Sequence, residues 1–253
     1  MSRWVLPALL LAALIGAWQL AASTGALADV LGLEPFLVPS PAEIASALWE
    51  NRSLLAENAW VTLREIVLGF GCAVVVGLGF AVVLHLSETL RRAFYPLLVV
   101  SQTIPILALA PILIVWLGFG IGPKLAVVGL ICFFPITVNT LDGLRSVNRE
   151  ATKMMRTLDA SRSQILRRLE MPTALPYFFS GAKIALVIAP IAALFGEWVA
   201  AEAGLGGLGV LIREDGARLE TARMFASVAV LSAMAIALFG LLALAERRVV
   251  TWR

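Results

Sequence analysis

Six long apolar stretches dominate this chain, at about residues 4–28, 66–84, 97–117, 125–141, 176–199 and 224–245. A helix crossing a hydrocarbon core of ~30 Å needs about 20 residues. All but the fourth come close to that length, and the fourth, of 17 residues, is bordered by tolerant glycine and asparagine. None alternates in the roughly ten-residue segments of a membrane barrel. The expected fold is therefore an all-α membrane protein with six transmembrane helices, a single domain over residues 1–253. Composition agrees: 60% of residues are apolar and 15% charged, against about 45–50% and about 25% in soluble domains.

The first stretch imitates a secretory signal, with Arg3 ahead of it and Ala26-Leu27-Ala28 before Asp29. It exceeds the usual 7–15 apolar residues of such a signal, and five more stretches follow, so a retained first helix is expected. Loop cations set the orientation. With the N-terminus inside, 13 of the 20 Lys and Arg fall on inner segments and six, including Lys124, on outer ones. Both termini are then cytoplasmic. Cys72 and Cys132 lie in apolar runs and are expected to be buried hydrophobes, and His85 is expected to be interfacial.

Between the stretches, Ser40-Pro41-Ala42-Glu43 has the form of a capping box with proline at the first helical position. Ile44, Leu48 and Leu55 continue it as a short helix, expected to lie along the outer interface. Residues 145–172 are too long for a simple connection. Ala151, Met154, Met155 and Leu158 share one helical face there. Asp159 interrupts; Ser161 and Gln164 form a second capping box ahead of Ile165, Leu166 and Leu169, and Pro172 and Pro176 are expected to stop that second helix. Two short helices exposing Met and Leu beside basic residues suit either a docking element for a partner or a basic helix on the membrane surface.

Several motifs together resemble the inner-membrane permease subunits of bacterial binding-protein-dependent ABC importers. The nearest are those of the sulfonate, taurine and nitrate type and of the pyrimidine-precursor, thiamine and riboflavin type. Val38-Pro39-Ser40-Pro41, residues 105–120 with Ala110-Pro111 and Trp116-Leu117-Gly118, Phe133-Phe134-Pro135, residues 156–162 and 171–177, Gly196-Glu197-Trp198 and Gly204-Leu205-Gly206 carry the resemblance. The family's cytoplasmic loop reads Glu-Ala-Ala, three residues, Gly, then Ile-x-Leu-Pro. Leu169-Glu170-Met171-Pro172 closes it at the right distance from Asp159. The opening departs, because Glu150-Ala151-Thr152 lies nine residues before Asp159 rather than six. That register places Lys153 where Glu is usual and Asp159 where Gly is usual. Asp still tolerates a bend and caps the next helix.

The resemblance implies a type I importer fold with a cytoplasmic helical coupling loop, residues 145–172, between helices 4 and 5. The docking residues would be Glu150, Ala151, Lys153, Met155, Leu158, Asp159, Ala160, Ser161, Leu169 and Pro172, acting as a whole rather than through Glu150 alone. It also implies a homodimer in the bacterial cytoplasmic membrane, an ATP-binding subunit at each loop and an extracytoplasmic substrate-binding protein. ATP and Mg would sit on the ATPase; no cofactor is expected on this chain, and no nucleic acid. The substrate would be a small polar or anionic nutrient.

Other chemistry finds little to stand on. No phosphate-cradling Gly-x4-Gly-Lys loop occurs, and Gly204-x-Gly206-x-x-Gly209 follows an apolar stretch rather than a strand, so it is expected to be a turn. Asp142-Gly143 and Asp215-Gly216 faintly resemble a phosphatidyl-transferring enzyme but lack further aspartates. An ion-coupled secondary transporter, the stronger alternative, should bury carboxylates at mid-membrane; four stretches and residues 184–196 carry no charge. Lys183 is expected to snorkel, whereas Glu197 suits an interfacial place or the outer mouth equally. Gln102, Thr103 and Asn139 stand beside Pro105 and Pro135, where polar, interrupted helix is tolerated against protein or a water-filled cavity. These residues, with Glu197, are the candidate translocation path.

Overall fold

The computed structural model describes residues 5–201 and 204–252. Trp4, where the first stretch was expected to begin, and Arg3 and Arg253, used in the charge count, lie outside them. Among the described residues, five helices are long and apolar enough to cross a membrane, not six. They are α1 (Val5–Ser23), α4 (Arg52–Leu86), α7 (Ile121–Arg145), α10 (Met171–Val199) with the turns leading into it, and α12 (Thr221–Val249).

The missing sixth is the third stretch, which folds as α5 (Glu88–Ser101) and α6 (Ile106–Leu117) with a break at residues 102–105. Pro105 has no N–H to continue a helix. Around it, Ser101 Oγ donates to Leu98 O at 2.7 Å and Thr103 Oγ1 to Val100 O at 2.8 Å, so side chains close off the helix end. The 12 residues of α6 reach only about 18 Å.

Boundaries elsewhere also moved. The first helix stops at Ser23, because Gly25 (φ 75°) turns the chain, and residues 26–28 belong to a short α2 (Ala26–Leu31). The predicted capping boxes at Ser40/Glu43 and Ser161/Gln164 are both present, starting α3 (Pro41–Glu50) and α9 (Arg162–Ile165). Ile44 and Leu55 are buried. Pro172 and Pro176 do not stop the helix as expected. A π turn, Leu166–Glu170, joins α9 to α10, so that Arg162–Val199 is one rod of 38 residues. Pro172 lies within this rod, just after the π turn. It has no N–H to give the preceding turn, and the widened π turn ahead of it takes up the extra residue.

The chain divides into two compact units, with boundaries inside α4, between Leu205 and Gly206, and inside α12. One holds the chain up to Val61 and Gly206–Ala233. In it, Gln19 Oε1 accepts from Ala42 N at 2.9 Å, and Asn58 Oδ1 from Gly207 N at 2.8 Å. Arg223 of α12 grips the buried Asp215 of α11 (Leu208–Arg218) at 2.6 Å, across the turn between the two helices. Gly204 and Gly206 take φ of 68° and 67°, the turn expected of them, while Gly209 lies in α11.

The other unit holds Thr62–Leu205 and the chain from Met234. Its core is the α7–α10 pair, where Ala185, Ala189, Ala192 and Ala193 are fully buried beside Val127, Val128, Cys132 and Ile136. Small side chains bring helix backbones close, which suits association where no water drives it. A Cβ on Gly181 would strike the Pro135 carbonyl oxygen, and one on Gly143 would meet Tyr177 Cβ at 2.7 Å. Cys132 is buried as expected; Cys72 is exposed, contrary to expectation, because it points away from this core.

Candidate functional site

The break between α5 and α6 opens a cavity of about 840 Å³ in the second unit. Gln102 and Pro105 line it from the break and Asn139 from α7, together with Phe94, Phe133 and Phe134. Among the described residues, Gln102, Asn139 and Ser101 are its polar side chains, and no charged one takes part. Asn139 Nδ2 donates to Pro135 O at 2.8 Å, satisfying a carbonyl near the proline. Three candidate path residues are thus brought together. Thr103 turns back on Val100 O instead of lining the cavity.

Glu197 stands apart, fully buried near the end of α10, and Thr62 Oγ1 donates to its Oε1 at 2.6 Å. Beside it lies an ion pair that sequence reasoning missed. Lys124 Nζ donates to Glu65 Oε1 at 2.8 Å, and the two side chains are 0% and 2% exposed. Lys124 had been assigned to an outer segment; it sits inside α7, which begins four residues earlier than expected. Buried carboxylates, taken as absent when ion coupling was weighed, therefore exist at Glu65 and Glu197, held by a lysine and a threonine. A signal was available. Thr62, Glu65 with the adjacent Ile66, Gly69, Ala73, Gly77, Ala81 and Leu84 follow one another at helical spacing and form a buried face of α4.

Residues 145–172 fold as two short helices around a bend. Asn148 caps α8 (Arg149–Thr157) by accepting from Glu150 N at 2.7 Å. Asp159 turns the chain at φ 55°, in the left-handed region that Asp tolerates better than most residues. Met154 and Leu158 are 66% and 72% exposed, while Met155, Ala151 and Ala160 are half-buried. Glu150, Lys153 and Ser161 are exposed, and Leu169 and Pro172 half-buried.

A second cluster missed by sequence reasoning joins this segment to α4. Glu170, 4% exposed in the π turn, accepts from Arg162 Nη1 at 2.7 Å through Oε1 and meets His85 Nε2 at 2.9 Å through Oε2. Arg162 Nη2 stands 3.0 Å from the same ring nitrogen. That nitrogen has one position to share, so when its N–H donates to Glu170 the Arg162 approach is a close contact and not a third hydrogen bond. His85 is therefore part of a charged cluster, not merely interfacial. Lys183 is not a free snorkelling cation either, since it pairs with Glu246 of α12.

A family model described as the binding-protein-dependent transport system inner membrane component matches residues 73–251. The formylaminopyrimidine transport permease protein ThiX of Halalkalibacterium halodurans is 38% identical over 87% of this chain and 87% of its own. The riboflavin transport system permease protein RibX of Chloroflexus aurantiacus is 36% identical over 87% of this chain and 82% of its own. The taurine transport system permease protein TauC of Escherichia coli is 28% identical over 87% and 82%. Among solved structures, an inward-facing MetNI methionine ABC transporter superposes with a TM-score of 0.65 at 22% identity, covering 80% of this chain and 97% of that chain.

Proposed function

Because the chain belongs to the inner-membrane components of binding-protein-dependent transport systems, we propose that its cavity is one subunit's share of a substrate pathway completed by a second copy. The chain is an ABC importer permease, a multi-pass inner-membrane protein whose helical fold is shared with the MetNI permease. With the broken pair α5–α6 making the sixth crossing, residues 145–172 face the cytoplasm, as do both termini, and each copy offers the exposed Met154 and Leu158 to an ATPase subunit. ATP and Mg belong to that subunit. An extracytoplasmic binding protein delivers the substrate, and ATP-driven closure of the ATPases alternates access to the pathway. This requires an element with two states that both sites bias.

The observation that carries this reading is the convergence of Gln102, Pro105 and Asn139 on one cavity at a helix break. Among small polar or anionic nutrients, an uncharged ring suits its wall best. Phe94, Phe133 and Phe134 offer aromatic faces, the two amides offer hydrogen bonds, and among the described residues no cation lines it to pair with a sulfonate or nitrate. The relatives named for formylaminopyrimidine and riboflavin transport, at 38% and 36% identity, point the same way.

The test is a single cysteine at position 139 in a chain with Cys72 and Cys132 replaced, assembled with its ATPase and binding protein in proteoliposomes. A water-borne thiol reagent is expected to label it, and transported substrate to slow the labelling. Position 139 inert in every nucleotide state would exclude a water-filled pathway there. The permease by itself should hydrolyse no ATP.

A further inference from the structure

We propose that His85, Glu170 and Arg162 are positioning residues that make α4 move with the ATPase-docking segment. The proposal rests on the reading of residues 145–172 as that segment.

The second half of the segment is continuous with a membrane helix. From Arg162, the rod runs through the π turn into α10 and ends at Val199. A push on the segment therefore reaches α10 through the covalent chain. No such continuity links the segment to α4, and the Glu170 carboxylate supplies a tie. One oxygen holds Arg162, the first residue of α9, and the other meets His85, the next-to-last residue of α4. Apolar contacts between helices allow sliding, whereas charge-assisted hydrogen bonds are directional and short. The carboxylate is buried and engaged on both sides, so neither partner can shift without stranding it.

A second tie lies further along α4. Thr62 bonds Glu197 of α10, and Glu65 pairs with Lys124 of α7. Glu65 and His85 are 20 residues apart, about 30 Å of helix. Two attachments that far apart transmit a tilt as well as a shift. With both in place, α4 follows the α7–α10 pair; with the His85 tie cut, α4 can pivot about the other.

What α4 does matters because α5 follows it directly, after Ser87, and carries the chain to the cavity break. Phe80 of α4 lies 5.8 Å from Phe94, which lines the cavity, and 5.7 Å from Phe133, which lines it from α7. The tie thus connects docking to the width of the pathway.

The test uses the assembled importer in proteoliposomes and reads substrate moved per ATP hydrolysed. His85→Ala leaves the Arg162–Glu170 pair intact, so the chain still folds and keeps its ATPase. Its transport ratio is expected to fall about tenfold, within the range of ordinary coupling between sites. His85→Gln, whose amide still donates to Glu170, should restore most of it. Glu170→Gln should lower the ratio in the same way. Parental ratios in both H85A and E170Q would overturn the proposal. So would transport and ATP hydrolysis falling in proportion, which marks a purely structural role. Leu158→Asp separates the two readings, because it should release the ATPase during purification. An ATPase retained by L158D would count against the docking reading itself.

Discussion

The two charged clusters on α4 are built from similar side chains, yet water reaches them differently. Lys124 and Glu65 are 0% and 2% exposed. At the other cluster Glu170 is 6% exposed by side chain but Arg162 is 45% exposed. A sealed ion pair makes its members mutually indispensable, since either one alone is a charge in a dry interior. A half-open cluster keeps one member, Arg162, within reach of water or a partner, so losing that member costs less, while the buried His85–Glu170 side stays held. The first resembles a rivet, the second a latch.

The sharpest way to break that contrast is Lys124→Met. Leaving Glu65 buried without its partner should cost about 3–5 kcal/mol, read as a lower midpoint in thermal denaturation of the purified permease. The double change Lys124→Met with Glu65→Leu should recover most of it, as apolar replacements of buried pairs commonly do. A single variant as stable as the parent would mean the pair is not sealed. Arg162→Ala should be milder, about 1 kcal/mol or less because the guanidinium is half exposed. Its larger effect should fall on substrate moved per ATP. If its midpoint drops as far as that of Lys124→Met, the distinction fails.

The smallest effect is expected at Glu88, an exposed carboxylate that serves as a control. Hydrogen bonds from Arg91 and then Arg92 hold it down to about 2, below its ordinary 4.5. A lowered carboxylate contributes stability above its unfolded value and loses it as pH falls through the folded one. Any difference in midpoint between the parent and Glu88→Gln should therefore be slight at neutral pH and vanish between pH 4.5 and about 2. A gap that widened with acid would reverse the sign of the interaction.

Legibility in the sequence followed the range of the forces involved. Capping boxes at Ser40 and Ser161, the bend at Asp159 and the apolar runs of α1, α7, α10 and α12 depend on neighbours within a few residues, and all were readable. The meeting of Gln102, Pro105 and Asn139 was inferred from prolines beside polar groups, again a local sign. Lys124 with Glu65, and His85 with Glu170, join residues 59 and 85 positions apart, and local reading placed Lys124 and His85 at interfaces. A charge near the end of an apolar run has two solutions, water or a partner, and only packing chooses between them. The third stretch misled for a related reason. Counting apolar residues ignores the backbone, and one proline with two hydroxyl side chains was enough to divide it.

That division bears on water. The N–H groups of Gln102, Thr103 and Ile104 are paired, with Val99 O, Val100 O and Ser101 O, because any left dry and unpaired within the hydrocarbon region would cost several kcal/mol. What the division presents to the cavity is the polar side chains of Ser101 and Gln102. The adjoining cavity of about 840 Å³ has room for on the order of 25 water molecules at ~30 Å³ each. Filled with water, the cavity would hold a column against Ser101, Gln102 and Asn139 that an arriving nutrient has to displace. The resting permease must therefore keep that column from becoming a leak, and small solutes crossing without ATP would measure how well it does.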